Sequence, residues 1–339
     1  MTASWVTLLK HIDTPLTTDA TRQIVNYAQF SKDLYRLALS NKVVLSYLSK
    51  IRRDGFSEKL FRYHSKRLTV LMNVLSDVTR VLEECGFRYV VFKTLRSFKE
   101  EVADIDILCL GDDHEYDEVV HAVGSRGYRL MEQGLFCTTF EDLRYRFMPE
   151  VMIDIYREVS SGPLIYLDKR LLCSVTTVRD VNGLKVRVLD PVAESLVVVG
   201  HSVIKERKIS LADYLTVLHY LASMNDEQLW MFVELARRAR LLYASKWFFT
   251  LVSYIHKIAH GFLPEKLVKL ANILGGFVDL DVDLLGREPP FLCDRKVLMR
   301  VFAEKLSDPL FRASFVNTVP WMFKGRSLQR FARLIVGKP

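Results

Sequence analysis

Asp104-Ile-Asp106-Ile-Leu-Cys-Leu110 alternates acidic and apolar side chains before the turn Gly111-Asp-Asp113. That period of two belongs to a strand, and it sends both carboxylates to one face, roughly 7 Å apart at ~3.3 Å per residue. Ile105, Ile107 and Cys109 take the other face, apolar enough to pack on helices. Two like charges on one strand face are costly unless water or a cation offsets them. A third carboxylate, Asp154, lies in Val151-Met-Ile-Asp-Ile-Tyr156, mid-strand among apolar neighbours. Asp is among the least favoured strand residues, so its presence there asks for a reason. Three carboxylates from neighbouring strands form a hard-oxygen set suited to Mg²⁺. Two such ions ~3.5–4 Å apart clamp the attacking and leaving oxygens of an in-line phosphoryl displacement.

Moving outward, Arg88-Tyr-Val-Val-Phe-Lys93 is a short β-rich run. The loop from Lys93 to Ala103 offers Lys93, Thr94, Arg96 and Ser97 within five residues of that strand's end, a cradle for phosphate by cation, hydroxyl and backbone N–H. Upstream, Glu58–Cys85 carries apolar residues at threes and fours, with Ser57 as its cap and Gly86 as its C-terminal stop. Downstream, His114–Gly127 is amphipathic. Strand-like runs follow at Tyr128–Met131, Leu135–Phe140 and Tyr145–Met148, and Thr176–Val188 reads as a hairpin turning at Asn182-Gly183. Asp190-Pro191 opens a remainder that is helical in pattern. The expected fold is α+β. A mixed-sheet core over 80–190, with helices on one face, follows an N-terminal helical segment (1–79) and precedes an all-α domain (191–339).

These motifs resemble the nucleotidyltransferase superfamily, the DNA polymerase β-like fold, and most nearly its uncharacterised bacterial and archaeal "nucleotidyltransferase family protein" group. The residues that carry the resemblance are Tyr89–Thr94, Asp104–Leu108 and Val151–Tyr156, with Asp190–His201 and Ile209–Leu215 similar to the helical segment that follows the core. The likeness covers about 60–220. It implies Mg²⁺ (or Mn²⁺) on Asp104, Asp106 and Asp154, and an NTP such as ATP as substrate. Asp154 would also polarise the acceptor hydroxyl. Lys93 and Thr94 fall where the family's turn meets the triphosphate, with Arg96 and Ser97 just beyond. The family's Gly-Ser pair is absent, and β-branched Thr94 gives a phosphate less backbone access than Gly.

Composition sets the frame around this core. Half of the 339 residues are hydrophobic and 26% charged, while Gly and Pro together number 25, which excludes a disordered or collagen-like chain. No window approaches the ~18–20 apolar residues of a membrane span. Five cysteines without a CxxC pair argue against a disulfide framework or a cysteine zinc site, and the expected location is cytoplasmic. Net charge is +8, divided as +6 over 1–79, −5 over 80–190 and +7 over 191–339. An acidic core between basic flanks suits a metal centre beside a polyanion, with RNA as a possible acceptor along Arg52, Arg53, Arg62 and Lys66. The basic tail Trp321–Pro339 reads as a docked final helix. A second alternation, Asp279-Leu-Asp-Val-Asp283, lacks a preceding β-rich run and reads as a loop. His256 and His260, spaced as a zinc pair, lack a third ligand and read as helix residues. No P-loop or GxGxxG occurs. The expected activity is metal-dependent transfer of NMP from an NTP to a hydroxyl of RNA, protein or a small molecule. The alternative is a catalytically silent relative that binds RNA or protein.

Overall fold

In the computed structural model the described residues are 4–12, 14–16, 29–52, 54–144, 150–181, 183–281 and 284–322. Helices α1 (Ser4–His11), α2 (Lys32–Ser40), α3 (Val44–Leu48) and α4 (Gly55–Glu84) precede the sheet. The start of α4 lies ahead of the expected cap. One Asp54 oxygen accepts from the N–H groups of Phe56 and Ser57 (3.0 and 2.8 Å), and the Ser57 hydroxyl accepts in return from the Asp54 N–H. Ser57 is therefore the reciprocating third residue of a capping box rather than the cap. The end matches expectation. Gly86 at φ 71° lets the Gly86 and Phe87 N–H groups reach Glu83 and Leu82 carbonyls, the Schellman arrangement.

The sheet elements follow as β1 (Tyr89–Phe92), β2 (Asp104–Cys109), α5 (Asp113–Gly124), β3 (Arg129–Gln133), β4 (Cys137–Asp142) and β5 (Val151–Tyr156). A small hairpin, β6 (Val159–Ser161) and β7 (Leu164–Leu167), was not anticipated. The expected hairpin is β8 (Thr176–Val181) with β9 (Leu184–Leu189). Seven strands form one mixed sheet in the order β3-β4-β5-β2-β1-β9-β8. β2 runs parallel to β5 and antiparallel to β1, while β1 runs parallel to β9. The fold class is the α+β class expected, and the strands bearing the three carboxylates are neighbours. The run Tyr145–Met148 lies outside the described residues.

Both faces of the sheet are covered, which corrects the expectation of helices on one face. Ile105, Ile107, Cys109, Ile153 and Ile155 pack with α4 and α5 residues such as Val74, Val78 and Tyr116. Phe92, Leu108 and Tyr156 point the other way, into a second cluster. That cluster is built with α6 (Pro191–Gly200), α7 (Leu211–Ser223), α8 (Asp226–Arg238) and α9 (Leu242–His260). β1 is apolar throughout and buried throughout, as a strand covered on both sides must be. α10 (Glu265–Ile273), β10 (Lys208–Ile209) paired with β11 (Phe291–Leu292), α11 (Arg295–Lys305) and α12 (Pro309–Met322) complete the chain's described elements.

The N-terminal helices share this second core: Trp5, Leu9, Leu37 and Tyr47 are buried in it. Polar ties set their position. The Asn41 amide donates to the Pro289 carbonyl (3.0 Å) and accepts from the Leu211 N–H (3.2 Å). The buried Glu100 carboxylate caps α3 by accepting from the Leu45 and Ser46 N–H groups (3.0 and 3.1 Å). Between these two anchors stands Lys42, at φ 57°. On the far side α6, capped by Asp190 on the Ala193 N–H (2.8 Å), widens into a π-helical turn, His201–Glu206, which ends at left-handed Arg207 (φ 55°). Such π turns re-aim side chains and recur at functional sites.

Candidate metal and phosphate site

The register of β2 and β5 places Asp106 directly beside Asp154, with Asp104 two residues back on the same face. One carboxylate oxygen from each of the three lies within 4.8 Å of the others. The sequence placed these carboxylates together and the structure brings them together. Among the described residues no other group of three or more potential ligands converges in this way. Asp279 and Asp281 lie in irregular backbone, and Asp283 is outside the described residues. His256 is buried, with Nδ1 2.9 Å from the Tyr214 hydroxyl. Burial pushes His256 down to about 3 and His260 to about 4, so both imidazoles are neutral.

Each carboxylate is positioned differently. Asp154 Oδ1 accepts from the Thr139 hydroxyl (2.6 Å), across the β4–β5 pair, and Oδ2 from the Tyr156 hydroxyl (3.4 Å). Asp106 receives the Lys93 ammonium at 2.9 Å on Oδ1, and its backbone N–H donates to the Thr94 hydroxyl at 2.8 Å. Thr94 is thus buried and committed to fixing Asp106. Lys93 follows β1 in left-handed backbone (φ 59°), with its N–H donated to the buried Glu194 carboxylate at 2.5 Å. Arg96 lines the cleft above the carboxylates. Ser97 does not; it belongs to a neighbouring cavity with Arg179, His219 and Tyr220.

The cleft has an empty volume of about 760 Å³, its open mouth included. It faces Asp104 and Asp106 with Lys42, Arg96, His201 and Lys205. Lys205 also donates to the Tyr156 hydroxyl (3.1 Å), which joins the cation to Asp154 through one phenol. Sequence reasoning missed Lys42, Lys205 and Glu194.

The electrostatics report crowded negative charge. Asp106 beside it, then burial, push Asp104 up to about 6. Asp154 is raised by burial first, against the lowering pull of Thr139. Burial pushes the Lys93 ammonium towards neutrality, but the attraction of Asp106 outweighs it and the net shift is upward. Glu194 is driven up to about 7 by burial. His201 is held well below its ordinary value by burial and then by Lys93, Lys205, Lys42 and Arg96, so its imidazole is neutral.

This donor set fits a hard divalent ion. It consists of carboxylate oxygens, it contains no thiolate or imidazole, and the raised Asp104 marks charge that Lys93 alone does not balance. As a ligand, Asp104 would have to lose its proton first, so affinity for Mn²⁺ should then rise with pH through about 6. The expected change between pH 5 and pH 7 is about tenfold for one proton released. Titration of Mn²⁺ at the two pH values, followed by the EPR signal of the free ion, checks it; a pH-independent affinity would remove Asp104 from the ligand set.

No family model matches the chain, and no curated protein does. Among solved structures, the crystal structure of an antigenic nucleotidyltransferase-like protein from Paracoccidioides brasiliensis is similar over 52% of this chain and 91% of that chain. The identity is 13% and the TM-score 0.33, too slight a likeness to fix a fold or a function.

Proposed function

We propose that the protein is a metal-dependent nucleotidyltransferase, moving NMP from an NTP to an acceptor hydroxyl with release of pyrophosphate. The observation that carries this reading is the convergence of Asp104, Asp106 and Asp154 within 4.8 Å on two parallel neighbouring strands, opposite a cluster of cations. The three carboxylates would hold Mg²⁺ or Mn²⁺, which when bound neutralises charge on phosphate oxygens and polarises the reacting phosphorus. Lys42, Arg96 and Lys205 supply the complementary charge for a triphosphate. Asp154, raised by burial and oriented by Thr139, accepts the proton of the attacking hydroxyl. The new bond joins acceptor oxygen to the α-phosphorus, and the bond from that phosphorus to the β-phosphate bridge breaks.

The acceptor class is RNA, protein or a small molecule. On the basic flank, Arg62 pairs with Glu58 (2.8 Å) and Arg67 with Glu101 (3.0 Å), while Arg53 and the tail from residue 323 lie outside the described residues. A binding-only protein is the second reading, and it draws on one observation: the Lys93 ammonium already engages Asp106. Calorimetry with a non-hydrolysable NTP analogue tests the substrate class without needing an acceptor. Binding should require Mg²⁺ or Mn²⁺, and Lys42→Ala with Lys205→Ala should weaken it about 100-fold, at ~1.5 kcal/mol for each charged hydrogen bond. Binding that ignores both the metal and the two lysines would contradict the proposal.

A further inference from the structure

We infer that Lys93 is a built-in cation that takes the place of one divalent ion at the three-carboxylate site, so that the nucleotide-free protein binds one such ion rather than two. The inference rests on the metal reading of Asp104, Asp106 and Asp154.

The contact itself is buried: Lys93 Nζ lies 2.9 Å from Asp106 Oδ1, with the two side chains 12% and 5% exposed. A surface lysine could swing away when an ion arrives. Lys93 is held at both ends. Its backbone stands at φ 59°, a region a lysine adopts only where its surroundings impose it. The turn is closed across it by the Thr94 N–H on the Phe92 carbonyl (2.7 Å), and Glu194, a carboxylate 101 residues along the chain, receives the Lys93 N–H. At the other end the ammonium lies 4.7 Å from the centre of the Phe92 ring and 5.1 Å from that of Tyr156, two aromatic walls that favour a desolvated cation. The backbone is fixed at one end, and at the other the ammonium rests against Asp106.

Charge counting gives the consequence. Three ionised carboxylates carry −3, and the fixed ammonium brings them to −2. One divalent ion then balances the site. A second would leave excess positive charge beside Lys42, Arg96 and Lys205, because the other acids lining the cleft are engaged elsewhere: Glu194 by the Lys93 N–H, Glu206 beside His201 and Lys208, and Asp213 by Ser210. Asp106 also has one oxygen already engaged by Lys93, which leaves fewer sites for bridging two ions. The ammonium supplies fixed positive charge without release or rebinding, in the manner of other preorganised electrostatic groups.

The test is Mn²⁺ titration of the full chain without nucleotide, read by calorimetry and by the EPR spectrum of the bound ion. Wild type should bind one Mn²⁺ per chain, without the spectral broadening of a close ion pair. Lys93→Met should raise the stoichiometry to two and tighten the first ion about tenfold, since a neighbouring positive charge has gone. Lys93→Arg keeps the charge and should stay at one. Two ions on wild type would overturn the inference while leaving the metal reading intact, as would one ion of unchanged affinity on folded Lys93→Met. No Mn²⁺ on wild type would overturn both. If Lys93→Met does not fold, the wild-type stoichiometry decides alone.

Discussion

Asp106→Asn is expected to destabilise the metal-free protein by about 3 kcal/mol, whereas Asp104→Asn, two residues away on the same strand face, is expected to stabilise it. The two carboxylates differ in what they face. Asp106 is the partner of a buried ammonium, and breaking a buried pair leaves the remaining charge uncompensated. Asp104 has no such debt: its carboxyl is pushed up to about 6, first by Asp106 and then by burial. The sign follows from linkage. Below its ordinary value of 3.8 Asp104 is protonated in folded and unfolded chains alike, so it costs nothing; the cost appears as pH rises and is complete above about 6. At pH 8 with EDTA, urea unfolding should therefore show the midpoint fall for Asp106→Asn and rise for Asp104→Asn. Adding Lys93→Met to Asp106→Asn should recover most of the loss, because it removes the orphaned charge. Shifts of the same sign in both single variants would show that Lys93 does not discriminate between the carboxylates.

The carboxylates were legible because each broke a local rule. Alternating Asp104 and Asp106, and a lone Asp154 inside a strand, are costly residues in positions that sequence alone identifies as β. The cations opposite them were not legible, because Lys42 and Lys205 reach the cleft from a helix-to-helix turn and a π turn far away in the chain. No short motif encodes that approach. Glu194 is the instructive miss. It stands in Pro191-Val-Ala-Glu-Ser-Leu-Val-Val-Val-Gly200, a helix buried over most of its length, and a lone Glu there is as anomalous as Asp154 in its strand. The covered second face was also encoded, since Tyr89-Val-Val-Phe92 has no polar alternation. Thr94 carries a contact that the sequence did not signal: its hydroxyl accepts from the Asp106 N–H.

Asp154→Asn should lower the rate of nucleotidyl transfer about 1,000-fold while changing stability little. Removing one preorganised electrostatic group at a reacting centre costs of this order, and Asn cannot take the proton of the acceptor hydroxyl. Its partners are a hydroxyl from Thr139 and a phenol from Tyr156, neither of which is a charge left unpaired by the change. Thr139→Val, which frees the carboxylate to rotate without removing it, should cost less, about tenfold.

Transfer itself is the most direct measurement. Wild type is incubated with each NTP labelled at the α-phosphate, and separately at the γ-phosphate, with Mg²⁺ or Mn²⁺ and cellular RNA, protein and metabolite fractions in turn. The account predicts that the α-label enters one fraction, that the γ-label leaves as pyrophosphate, and that Asp154→Asn slows both about 1,000-fold. Transfer of the γ-label to the acceptor, or α-label transfer that Asp154→Asn leaves at the wild-type rate, would contradict it.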